Sequence, residues 1–156
     1  MHTRHFAGAE GFLAVVGAQL EMDEVRFGLI LGLAMRLVRE PHAYGPEDPW
    51  FCAVEEGGRI CAVAMRTPPH QVGVAHFSGD AEAVAGQLVS VAAELWAGIP
   101  GVVGDQELAD CFAAQWRRMR GVPTKARMAQ RIYRLDRVSE VPLSRGEFRL
   151  AQARDA

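Results

Sequence analysis

The chain has 156 residues, 49% of them hydrophobic and 23% charged, with a formal net charge of −2. This is the balance of one ordinary globular domain with a real core, and it gives no overall pull toward nucleic acid or an anionic membrane. The longest charge-free apolar run, Phe27 to Met35, is far shorter than the roughly 20 residues a membrane helix needs.

In chain order, "MHTRHFAGAE" lacks the apolar core and small-residue cleavage site of a signal peptide. Phe12 to Val16 is a short apolar patch ahead of a stronger helical signal. From Asp23, a plausible N-cap, Phe27, Ile30, Leu31, Ala34, Leu37 and Val38 recur at spacings of three and four until Pro41. Leu29, Leu33 and Met35 occupy other faces. A helix apolar nearly all round is buried between layers or covered by a partner. "REPHAYGPEDPW" reads as a proline-punctuated loop.

"WFCAVEEGGRICAVAMR" predicts two strands around Gly57-Gly58, and "QVGVAHF" a third. The first two runs are continuous rather than alternating, which implies a sheet covered on both faces. Between Arg59–Met65 and Gln71–Phe77 stand Pro68 and Pro69. Proline donates no ladder hydrogen bond, so the pair predicts a connection between neighbouring strands and a blunted edge.

Asp80 to Gly98 predicts a helix with Val84, Leu88, Val91, Ala92 and Leu95 as its stripe. "GVVG" is a very short strand. A further helix starts at Asp105 as cap, turns Leu108, Phe112, Ala113 and Trp116 inward, and ends at Gly121. "KARMAQRIYRLDRV" predicts a last strand with mixed faces, and "SEVPLSRG" a linker.

The thiols Cys52, Cys61 and Cys111 are odd in number and match no zinc spacing. They predict reduced cysteines in a cytoplasmic protein, with Cys52 and Cys61 as small buried hydrophobes on one face of the hairpin. No metal site is expected. Arg117, Arg118, Arg120, Lys125, Arg127, Arg131, Arg134 and Arg137 form a basic sector. Stacking aromatics are thin there, so solvated faces or pairs to a partner domain are expected rather than nucleic acid.

The element order, with "LILGLAMRL", "EDPWFCAVEEGG", "AMRTPPH" and "RMAQRIYRLDRV", resembles the GNAT acetyltransferases. The subgroup it resembles joins two GNAT-like domains in one chain, the first degenerate. The resemblance implies an α/β (α+β) fold with a GNAT-like, mainly antiparallel mixed sheet flanked by helices on both faces. It divides the chain into a GNAT-like domain over 1–138, a linker over 139–146, and the start of a second domain in 147–156, "EFRLAQARDA".

In that family an R/Q-x-x-G-x-G/A loop opens a helix and cradles the acetyl-CoA pyrophosphate. Here the text is "AHFSGDAEAVAG", with the single Gly79 before Asp80, a carboxylate where phosphate would sit. The family's acidic tyrosine, four residues before the glycine ending the late helix, falls on Arg117 beside Trp116, and indole is no general acid. No catalytic or cofactor-binding residue is therefore assigned, and acetyl-CoA is expected only in an implied full-length protein.

An acceptor pocket drawn from the resemblance would use Tyr44, Trp50, Arg66, His70 and His76. Taken by themselves, His70 reads as an exposed turn residue and His76 as a core or rim histidine facing the layer of Val72 and Val74. Tyr44 and Trp50 read as packing residues, and Glu55 and Glu56 as solvated carboxylates beside the turn. The expected partners are a C-terminal GNAT domain or a second copy, through the helix from Asp23 or the sheet near Tyr133. Two other functions stay open: a non-catalytic module that binds a small ligand in a pocket between the apolar helix and the strands, or dimerises, and a minimal standalone acetyltransferase with an aberrant phosphate loop.

Overall fold

A computed structural model of the chain describes residues 1–139. The elements are β1 (His2–Phe6), α1 (Ala9–Glu21), α2 (Glu24–Arg39), β2 (Trp50–Glu56), β3 (Arg59–Arg66), β4 (Val72–His76), α3 (Ala81–Leu95), β5 (Val102–Gly104) and α4 (Gln106–Arg120). The sheet order follows the chain, β1-β2-β3-β4-β5. Neighbours are antiparallel except β4 and β5, which run parallel. The fold is thus α+β, a mainly antiparallel mixed sheet with helices on both faces.

Those two faces explain why the strands are apolar without alternation. Phe51, Ala53, Val63, Met65 and Ala75 pack with Phe12, Val16, Leu20, Phe27 and Ile30 of α1 and α2. Cys52, Val54, Ala62, Ala64, Val72 and Val74 pack with Val84, Leu88, Phe112 and Trp116 of α3 and α4. A register shift between Val54 and Glu55 leaves Cys61 without a partner across β2, a β-bulge that lets Cys61 and Ala62 both join the α3/α4 layer. The hairpin turn rests on Gly57 and Gly58, both at positive φ.

Helix ends follow their caps. Asp23 accepts from the Arg26 amide and Asp80 from the Ala83 amide, while Gly121 closes α4 in the left-handed region. α2 buries Phe27, Ile30, Leu31, Ala34 and Leu37, each large side chain worth about 1.5–3 kcal/mol. Leu29, Met35 and Val38 stay about half exposed.

Several details differ from the expectations, beginning with Val38 and Leu95, which were placed on the apolar stripes of their helices and are about half exposed. β1 was not anticipated, because "HTRHF" has little β-propensity; it forms by ladder bonds to β2, from His2↔Glu55 to Phe6↔Phe51. Pro68 and Pro69 join two interior strands, so they protect no edge. Asp105 precedes α4 but its side chain makes no capping bond. Residues 122–139 form no strand and are exposed. No sheet edge of this chain receives them, and Ile132, Tyr133 and Leu135 stay exposed. The linker and second-domain assignments lie, residue 139 apart, outside the described residues.

Candidate functional site

The parallel pair organises the candidate site. β4, α3 and β5 make a βαβ unit, and such units take ligands in the crevice beyond the carboxyl ends of their strands, beside the helix N-terminus. The ladder runs through Val72↔Val102, Gly73↔Val103 and Val74↔Gly104, and then the strands part. Gly104 sits at φ 148°, and a Cβ there would run into the Val74 carbonyl oxygen and side chain. Only glycine allows this approach.

Beyond Gly104 the crevice is filled from within. The Asp105 carboxylate accepts from the His76 backbone N–H at 2.7 Å through one oxygen and from Arg26 Nε at 2.5 Å through the other. Its side chain is largely buried, 12% exposed, against 49% for Arg26. The amide that β4 would offer to a ligand is therefore used, and α2 is strapped to the start of α4.

The neighbouring turn is equally engaged. The Phe77 and Ser78 amides donate to the Cys61 carbonyl at 2.8 and 3.0 Å. Asp80 takes the Ala83 amide at 2.8 Å. Two carboxylates, Asp80 and Asp105, thus stand where a βαβ unit would receive an anion, and their charge opposes one. Cys111 on α4 registers the same field: its thiol is pushed up by burial and by Glu82, Glu107, Asp80 and Asp110. Arg118 reaches Glu82 at 3.2 Å, on the surface.

The opposite end of the pair is open. A groove of about 520 Å³ lies between α2 and the starts of β4 and β5. Leu29 and Leu33 form one wall, Met65, Gly73 and Val103 the sheet side, and Thr67, His70 and Gln71 a polar rim. Gly45 holds the loop after α2 in place: an added Cβ would lie 2.6 Å from the Pro68 carbonyl oxygen, so only glycine lets that loop lie on the proline turn. The turn is pinned in addition by the His70 amide on the Thr67 carbonyl and by Arg66 Nε on the His70 carbonyl, both at 2.9 Å.

Of the five residues named for an acceptor pocket, Tyr44 and His70 line this groove. Trp50 and Arg66 lie on the other sheet face. There Trp50 meets the Trp96 ring edge-on at 5.2 Å, and the Arg66 guanidinium stacks over Trp96 at 4.4 Å. Burial pulls the Arg66 guanidinium below its ordinary value, with Glu47 opposing. His76 sits at the closed end, its Nε2 buried without a hydrogen-bond partner among the described residues. The structure therefore brings together two of the five.

Sequence reasoning placed a small-ligand pocket between the apolar helix and the strands only as an alternative, named none of Arg26, Leu29, Leu33, Gly73 and Val103 as its residues, and assigned Asp105 to capping. Gly104-Asp105 directly after a three-residue strand was the available signal for the closed end.

The groove suits an apolar group with a polar rim, and among the described residues no carboxylate lines it to orient His70 as a base. Cys52, Cys61 and Cys111 are free, and burial pushes the Cys52 thiol up to about 12, which leaves it protonated and inert near neutrality. Among the described residues no group of three His, Cys, Asp or Glu side chains could hold a metal ion, and no helix is long and apolar enough to cross a membrane. Compared with family models, curated proteins and solved structures, the chain matches none.

Proposed function

We propose that this chain is the N-terminal domain of a GNAT-type, acetyl-CoA-dependent N-acetyltransferase, non-catalytic alone and serving substrate binding or assembly. The observation that carries the reading is the Asp105 carboxylate seated between the carboxyl ends of β4 and β5 on the His76 N–H and Arg26. A βαβ crevice entered by its own Asp105 carboxylate, beside a helix capped by Asp80, opposes the charge of a pyrophosphate and has already engaged the His76 and Ala83 amides. The element order from α1 to α4 agrees with the resemblance.

On this reading the chain holds no cofactor, and acetyl transfer to an amine belongs to a partner GNAT domain of the same protein. The partner is that domain or a second copy. The three free thiols suit a reducing, cytoplasmic setting.

Calorimetry of the full chain with acetyl-CoA tests the reading. No saturable heat is expected up to millimolar cofactor. A Kd below roughly 0.1 mM, about −5.5 kcal/mol, with transfer to an amine would establish the standalone acetyltransferase instead. The groove favours one further reading, a small-ligand module that takes an apolar group between Leu33 and Gly73. Saturable binding of apolar probes, weakened by Leu33→Asp with the fold intact, would support it.

A further inference from the structure

Charge is divided unevenly along the chain. Residues 1–121 carry nine Lys/Arg against fifteen Asp/Glu, whereas 122–139 carry five against one. The basic stretch is also apolar and exposed, with Met128, Ile132, Tyr133 and Leu135 between 63% and 81% accessible. It contains no proline between Thr124 and Val138, so its backbone is free to pair throughout. An apolar segment of this kind, unpaired among the described residues, adds readily to an open sheet edge.

The sheet has two edges, and charge separates them. β1 carries His2, Arg4 and His5, and Glu55 is already shared by His2 and Arg4 at 3.4 and 3.6 Å. A basic segment is repelled there. β5 has no strand on its outer side among the described residues. Just beyond its carboxyl end the Arg26–Asp105 pair joins the start of α2, which carries Asp23 and Glu24, to the start of α4, which carries Glu107. The apolar groove also opens beside this strand, with Val103 and Pro100 on one wall and Leu29 and Leu33 on the other.

We propose that residues 125–138 of one copy add as a strand to the outer edge of β5 in a second copy, alternate apolar side chains covering the groove beside α2. In its own chain the segment runs clear of β5, exposed along its length. A two-fold exchange fills both copies' edges at once, the commonest way a soluble chain closes such surface. β5 offers only three residues of ladder. Apolar burial and opposite charge must therefore supply most of the affinity, and the dimer is salt-sensitive.

The test uses the full chain with photoreactive p-benzoylphenylalanine replacing Tyr133, in an equal mixture of isotopically light and heavy protein. Light–heavy cross-links from position 133 to residues 102–107 or to Leu29 and Leu33 are expected. The paired variant Arg131→Glu with Arg134→Glu should raise the dimer Kd at least tenfold in low-salt sedimentation, with an unchanged circular dichroism spectrum. Cross-links confined to single chains, cross-links to residues 140–156, or a monomer at every concentration up to about 0.5 mM would each overturn the proposal; at that limit even an affinity of only about −4.5 kcal/mol shows. None of these readouts involves acetyl-CoA, so the proposal and the acetyltransferase reading fail separately.

Discussion

The two ends of the β4–β5 pair use the same parallel ladder for opposite purposes. At the carboxyl end the strands part beyond Gly104, and a charged side chain enters: Asp105 bridges the His76 amide and Arg26. At the amino end Gly73, having no side chain, leaves an apolar groove below Leu29 and Leu33 of α2. A polar gap left unfilled would strand a backbone N–H, which costs about 1–3 kcal/mol, so the chain fills it. An apolar gap open to solvent strands no donor and persists. Partition of the strands alone therefore does not make a binding site. What fills the gap decides it.

The largest way to break the comparison is Gly104→Val. The new side chain would strike the Val74 carbonyl and hold an unfavourable φ, so a loss of about 3 kcal/mol or more is expected in urea unfolding. Both ends should loosen together, seen as faster amide exchange at Gly73 and His76. Retained stability would show that the ladder does not govern the two ends.

Asp105→Ala acts on the closed end alone. It leaves the His76 N–H without its acceptor, and a loss of about 2 kcal/mol is expected. Arg26→Ala should cost under about 1 kcal/mol, because the guanidinium is half exposed and screened. Equal losses from the two variants would place the strap, rather than the amide, at the centre of the closed end.

Gly45→Ala addresses the open end. Its Cβ must displace the Pro68 carbonyl, and about 1–2 kcal/mol should be lost as the loop bearing Tyr44 lifts. Tyr44 near-ultraviolet dichroism should change while amide exchange at His76 does not.

The smallest effect is expected from Gly73→Ala. A Cβ there meets Ile30 Cγ1 and Met65 Cγ at 3.7 Å, ordinary contact distances. Stability should move by less than about 1 kcal/mol in either direction, while the groove floor rises and apolar probe binding weakens. A large destabilisation would mean that the groove floor has no spare room.

Much of the fold was legible because it rests on local signals. The Phe27–Leu37 spacing, the Asp23 and Asp80 caps, the Gly57-Gly58 hairpin and the continuous strand runs each act within a few residues, and the structure carries them all. β1 was illegible because its apolar content is low and its ladder partner lies some fifty residues away. Lys125 to Val138 misled for the converse reason. Apolar and β-prone residues suggest a strand, yet a strand exists only where an edge receives it.

The candidate site was legible in halves. Tyr44 and His70 reach the groove because the proline turn and Gly45 bring two loops together. Trp50 and Arg66 share a cross-strand pair, and the pleat turns that pair to the other face. Sequence by itself determined the elements, their caps and turns, the two-sided burial of the sheet and the absence of a glycine-rich phosphate loop, since each depends on neighbouring residues along the chain. Only the tertiary structure decided that Asp105 closes one end of the parallel pair, because its partners are Arg26, distant by 79 residues, and the His76 amide, distant by 29. A carboxylate's choice among a helix cap, a guanidinium and a strand amide is settled by which of them the packed layers bring within hydrogen-bond reach.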